Sequence, residues 1–237
     1  MHIARVVWRS RRSAFRLFGA LFLMHKLVTR FERYARLCGD ERFKWIAEDR
    51  LRAFNELNPR VRQLKGRMSA ILSTSSDPDD PPGEYYDACK ELDLLEEERD
   101  QSCIIACVFT ALYFEAFIYD YAASCLGDKY VIDHLDRLDF ISKWIVIPRL
   151  TVGKELEKSK HAYAALRKLH KDRNSLVHLK SREMPLSNEE MVKYLAQRES
   201  DMQRAAENCQ AAFKVVVEEL RELDPSHPKL QLLMKTM

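Results

Sequence analysis

Apolar residues recur every three or four positions along most of the chain, the period of a helix that buries one face. Residues 3–37 read as one such helix, with Gly39 as its C-terminal stop. Asp40 can N-cap a second, over 40–57, whose stripe is Phe43, Ala47, Leu51 and Phe54. Pro59 restarts a third to about 72. The stretch 73–83 is polar, holds three of the eight prolines and cannot be helical throughout. From 84 to 126 the pattern predicts one very long helix, acidic and amphipathic at first, then apolar nearly all round from Cys103 to Cys125, and stopped by Gly127. Shorter helices are predicted over 130–138 and 139–147, with Pro148 as the break, and another from about 155 to 178. Ser187-Asn188-Glu189-Glu190 is a capping-box pattern that opens a last helix to about 223, ended by Pro225 and Pro228. Strand-type alternation persists nowhere. The expected fold is all-α: an up-and-down helical bundle over 84–224, preceded by a basic helical N-terminal region, 1–72, and a linker, 73–83, and followed by a tail, 225–237.

Composition narrows the function classes. Gly and Pro together make up about 6% of the 237 residues, half of the roughly 12% in average usage. All six glycines are isolated, so neither a phosphate-binding P-loop nor a Rossmann fingerprint can be written. The formal net charge of +3 hides a segregation. Residues 1–67 hold 17 Lys and Arg against 6 Asp and Glu, whereas 77–100 hold 11 acidic residues against Lys90 and Arg99. Either the basic segment meets nucleic acid or an anionic surface, or the two segments neutralise each other within the chain or across a dimer. The six cysteines form no C-x-x-C pair and several lie in apolar helical runs. That usage fits a reducing compartment, so the expected location is the cytoplasm. Arg9 to Arg16 followed by the apolar run 17–24 has the look of a leader, but the run is far short of the ~20 residues a bilayer needs, so no membrane span is expected. Met24 is an alternative start.

A di-metal carboxylate bundle needs inward-facing Glu-x-x-His pairs, and no His here has Glu three residues before it. No metal and no cofactor are therefore expected. One segment stands apart, 166–178. His170, Asn174 and His178 fall at i, i+4 and i+8, a single polar row, with Arg173 about 100° to one side. Leu166, Leu169, Leu176 and Val177 supply the apolar face. Near a helix C-terminus the dipole favours an imidazolium. An Arg, an amide and a His on adjoining faces suit metal-free RNA cleavage: the imidazole moves the proton of a 2′-hydroxyl or 5′-oxygen, and the guanidinium holds the phosphorane charge. The same residues also suit a helix end in which His178 bonds the last carbonyls and Arg173 pairs with an acid.

Arg173-Asn174-x3-His178 resembles the R-N-x3-H form of the R-x(4–6)-H motif of HEPN domains, helical bundles found in bacterial toxins, abortive-infection proteins and CRISPR effector nucleases. The context is similar beyond the motif. The run 111–118, with Glu115, looks like the family's preceding core helix, and Lys143-Trp144-x3-Pro148-Arg149-Leu150-x2-Gly153-Lys154 resembles a connector of uncharacterised bacterial members. The resemblance covers about 85–222 and implies a metal-independent endoribonuclease, of toxin or phage-defence type, with RNA as substrate and an antitoxin or defence-system partner. It also implies a homodimer whose motif helices meet at a two-fold axis. By position, Arg173 would bind the scissile phosphate, His178 would be the acid/base, Asn174 would orient it or bond the phosphate, and Glu115 would orient Arg173 or serve another polar contact. The alternative within the family is a non-catalytic interaction or dimerisation module. Trp144, Phe109, Tyr113, Phe114 and Phe117 are expected in the core; Lys143, Arg149 and Lys154 are expected at the surface, where they could line an RNA path.

Overall fold

In a computed structural model, residues 39–75, 77, 80–177 and 188–232 are described. They form an all-α bundle without a strand among them. The helices are α1 (Gly39–Thr74), α2 (Gly83–Leu126), α3 (Phe140–Val152), α4 (His161–Val177), α5 (Asn188–Leu223) and α6 (Pro228–Leu232). Between α2 and α3 the chain makes a short helical piece, Asp128–Tyr130, and a wide π-type turn, Val131–Leu135. The predicted helix over 3–37 lies outside the described residues.

The second half of α2 is the axis of the core. Cys103, Ala106, Cys107, Phe114, Phe117, Ile118 and Tyr121 are fully enclosed by the other helices. From α3, Trp144 stacks on Phe117 with ring centres 6.3 Å apart and meets Phe114 edge-on at 5.9 Å. From α5, Phe213 packs on Tyr113 and Phe114. The core assignment of Trp144, Tyr113, Phe114 and Phe117 holds. By length and composition alone α2 could cross a membrane, and 56% of its most apolar stretch is buried by its neighbours, as expected of a central bundle helix.

Three helix boundaries differ from the expected ones. The two helices foreseen on either side of Pro59 are one, α1. Proline frees the carbonyl four residues back; here Pro59 and Asn55 are both exposed, so water can serve that carbonyl, while Leu57 and Val61 hold both sides of the proline against α2. Likewise Pro148 is buried inside α3 rather than ending it. The stop comes at Gly153, whose φ of 73° is a left-handed conformation that glycine takes without a Cβ penalty. Asp139 caps the other end of α3, its carboxylate accepting from the N–H groups of Ile141 and Ser142 at 3.0 Å. The third difference is the start of α4, at His161 rather than near 155. Ala162 donates its backbone N–H to the Glu219 carboxylate of α5 at 3.1 Å, so a neighbouring helix supplies the cap.

The helical run is interrupted between Thr74 and Gly83, but the helices on either side, α1 and α2, pack on each other as a hairpin, and 39–74 share one compact unit with the bundle. Leu51 and Phe54 of α1 lie in the same core as Trp144. Farther along the hairpin Leu57, Val61 and Leu64 pack on Ala88 and Leu95 in a smaller cluster. The basic and acidic segments meet along this seam. Lys65 bonds Glu96 at 2.7 Å and Glu199 of α5 at 3.0 Å, and Arg67 faces Glu84 at 3.8 Å. Buried Arg99 spans Asp100 and Glu199, and Arg198 completes the network on Asp100 at 2.8 Å. For 39–67, then, neutralisation within the chain accounts for part of the basic excess.

At the opposite end α6 acts as a clamp. Lys229 bonds buried Asp40 of α1 at 2.6 Å and Asp120 of α2 at 3.4 Å, and stands 4.5 Å above the Phe117 ring. His227 lies against Tyr121, with its Nε2 2.8 Å from Ser124 Oγ, and Tyr121 donates to Asp224 at 3.0 Å. Burial holds the His227 imidazole below its ordinary value of 6.5, against the opposing pull of Asp224.

This packing sets the response to two changes. Phe54 is 1% exposed, so Phe54→Ala should cost about 3–5 kcal/mol and lower the midpoint of a single cooperative unfolding transition; an independent N-terminal region would instead unfold in a separate step. For His227, the unfolded chain takes up a proton near pH 6.5 that the folded chain refuses. Stability should fall as pH drops below that value and level off once the folded imidazole is protonated too. His227→Gln should flatten this part of the profile, read by denaturant unfolding of both proteins across the range.

Candidate functional site

The inner face of α4 is fixed by Ala162, Ala165, Leu166 and Leu169, all buried. Near its end buried Asp172 accepts from Asn208 Nδ2 of α5 at 2.6 Å, with Arg204 at 4.0 Å. Together with the Glu219 cap these contacts pin α4 to α5 at both ends. The residues His170, Arg173 and Asn174 are thereby turned away from α5 and only half-buried.

These three form a hydrogen-bonded chain. Arg173 Nη1 donates to Asn174 Oδ1 at 3.1 Å, and Asn174 Nδ2 lies 3.0 Å from His170 Nε2. Phe140 of α3 stacks flat on the His170 ring, 5.7 Å between centres and 8° between planes. His170 is thus fixed by one aromatic face, Asn174 by His170, and Arg173 by Asn174. Among the described residues Arg173 forms no ion pair with an acid. His178, the fourth member of the expected set, lies outside the described residues.

Glu115 does not join this group. It accepts from Lys143 Nζ of α3 at 2.9 Å, and Asp136 approaches the same ammonium at 3.8 Å. Lys143 is 5% exposed, which corrects the expected surface position. It precedes Trp144 on the side of α3 that faces α2, so its stem crosses the core margin and its charge ends on Glu115. Arg149 and Lys154 are exposed, as expected, and Arg149 pairs with Glu155 at 3.0 Å.

Beside the polar row lies an open cleft of about 530 Å³, lined by Lys158, Tyr163, Arg167, Lys168, His170 and Lys171, with Ile141 at its edge. Sequence pattern alone does not single it out. A partial signal exists in Tyr163, Arg167, Lys168 and Lys171, on the outer side of the Leu166–Leu169 stripe, but Lys158 joins them only through the loop geometry before α4. Among the described residues no three His, Cys, Asp or Glu side chains gather as a metal site requires. No known protein family, no curated protein and no solved structure matches the chain.

The Glu115–Lys143 pair is open to direct measurement. Glu115→Ala strands a buried ammonium beside the more distant Asp136 and should destabilise the fold by about 1–2 kcal/mol, less than a fully enclosed pair would because Glu115 is half-exposed. Lys143→Met on that background should recover most of the loss, and a double-mutant cycle by urea denaturation measures both.

Proposed function

We propose that the chain is a metal-independent endoribonuclease of the HEPN type. The observation that supports this best is the arrangement of Arg173. It has no acidic partner among the described residues, and a chain of bonds through Asn174 and His170 to the Phe140 ring holds it in place. A guanidinium kept free of carboxylates and oriented by a neutral amide is suited to a phosphate, which it can grip with two parallel N–H bonds. In this reading Arg173 neutralises the phosphorane and His178, four residues after Asn174 in the sequence, carries the proton. Asn174 is a positioning residue. Glu115, paired with Lys143, has a structural part only.

One protomer supplies one Arg and one His, so the reading includes a second copy of the chain at the motif end of α4. The contacts Ala162–Glu219 and Asp172–Asn208 set α4 and α5 antiparallel, which leaves the first turns of α5 reaching beyond Val177. Val177, Val192 and Leu195 are exposed there, and apolar side chains of that size are suited to an interface between copies.

The test is cleavage of RNA by the purified chain in EDTA, with the product ends determined. Cleavage leaving 2′,3′-cyclic phosphates is expected. His178→Ala should lower the rate by about 10²–10⁴-fold with little change in the thermal midpoint. Arg173→Ala should be comparably severe, and Arg173→Lys should restore only part, because Lys lacks the planar fork. Wild-type rates in the His178 variant, or a chain that binds RNA and never cuts it, would leave the non-catalytic interaction module as the better reading.

A further inference from the structure

The cleft beside α4 concentrates four formal cations, Lys158, Arg167, Lys168 and Lys171, around a hollow of about 530 Å³. All four are exposed, and among the described residues none forms an ion pair. That sets them apart from nearby cations, since Lys160 faces Glu222 and Arg149 takes Glu155. The carboxylates closest in sequence are engaged elsewhere: Glu155 with Arg149, and Asp172 turned inward to Asn208. Glu157 is left as an acidic neighbour. Four like charges around one hollow repel each other, and an anionic ligand would relieve that repulsion.

The second feature is aromatic. The Arg167 guanidinium stands 5.9 Å from the centre of the Tyr163 ring, and the His170 ring is held flat by Phe140. Unpaired bases stack on aromatic rings and on guanidinium planes, and the cleft offers both beside its cations. Tyr163, Arg167, Lys171 and Asn174 follow one another at four- and three-residue steps along one face of α4, and His170 of the cleft lining bonds Asn174 at 3.0 Å. We propose that this cleft binds a short segment of single-stranded RNA, with its phosphates on Lys158, Lys168 and Lys171 and a base against Tyr163 and Arg167. The choice of RNA rests on the ribonuclease reading; the choice of the cleft rests on its charges and rings.

The test is binding of a labelled, unstructured RNA oligonucleotide to the full chain carrying His178→Ala, followed by anisotropy between about 50 and 200 mM salt. Replacing Lys158, Arg167, Lys168 and Lys171 with Ala should weaken binding at least ten-fold and flatten the plot of log affinity against log salt by about 0.7 for each phosphate no longer neutralised. A control that removes four exposed cations elsewhere, Arg52, Arg60, Lys129 and Arg137, should keep the slope. Tyr163→Leu should weaken binding by roughly five-fold or more, the loss expected of one stacked base. A cleft variant that loses no more than the control would overturn the proposal, as would RNA displaced fully by inorganic tripolyphosphate with no effect of Tyr163→Leu, which marks a plain polyphosphate site. Equal binding of a DNA oligonucleotide of the same base sequence would keep the strand and overturn its assignment to RNA. The two readings separate cleanly. RNA held by the cleft and left uncut by the wild-type chain sinks the ribonuclease and keeps the cleft. Normal cleavage by the cleft variant does the reverse.

Discussion

The second half of α2 carries a broad apolar face, and such a helix is stable in water only when other helices cover that face. Phe114, Phe117, Ile118 and Tyr121, at i, i+3, i+4 and i+7, share one face of α2, and the neighbouring helices bury it completely. Trp144 of α3 takes Phe114 and Phe117, Phe213 of α5 takes Tyr113 and Phe114, and Phe43 of α1 reaches Phe109. Leu166 and Leu169 close the side that α4 occupies. The remaining gap, at the C-terminal end of α2, falls to α6, where Lys229 lays a charge on the Phe117 ring. Removing any one cover exposes aromatic surface worth several kcal/mol, while α4 and α5 also hold each other through their own contacts.

This arrangement also explains why the candidate site lies on α4. A helix that covers a core gives up one face and keeps the other. On α4 the surrendered face is Ala162, Ala165, Leu166 and Leu169, and the face it keeps carries Arg167, His170, Lys171, Arg173 and Asn174. Precision comes from the ends. Glu219 takes the Ala162 N–H and Asn208 takes Asp172, so α4 cannot slide or rotate on α5 without breaking a buried polar contact, which costs more than the bond itself contributes. Arg173 inherits that rigidity through two hydrogen bonds and one stacked ring.

Periodicity makes the helices legible, because an apolar stripe is a local property of the chain. The axis of the core is visible in the run from Cys103 to Cys125, and the polar row in the spacing of His170 and Asn174. What escapes a reading of the sequence is set by tertiary contacts. Pro59 and Pro148 read as breaks, since sequence carries the missing hydrogen bond but not the packing that offsets it. The stretch 73–83 reads as a boundary between two regions because its prolines end a helix; they say nothing of whether the two helices then fold against each other, as α1 and α2 do. Lys143 reads as surface, and Glu115 as orienting Arg173 or serving another polar contact, of which the structure has the second. A lysine stem is long enough to end almost anywhere within about 6 Å of its Cβ, so its destination depends on which helix lies opposite.

Charge shows the same dependence on context. The hairpin seam and the cleft are both rich in basic residues, yet they differ physically. At the seam, Lys65, Arg99 and Arg198 each have a carboxylate within 3.3 Å, and the pairs help to fix the register of α1, α2 and α5. At the cleft the cations have no such partners among the described residues, and the Arg167 guanidinium lies against the Tyr163 ring instead. Arg173 likewise has no acidic partner among the described residues and is anchored by Asn174. Its neutral anchor shares a helix with Arg167, Lys168 and Lys171 of the cleft, and in the proposed reading a single extended polyanion would satisfy both.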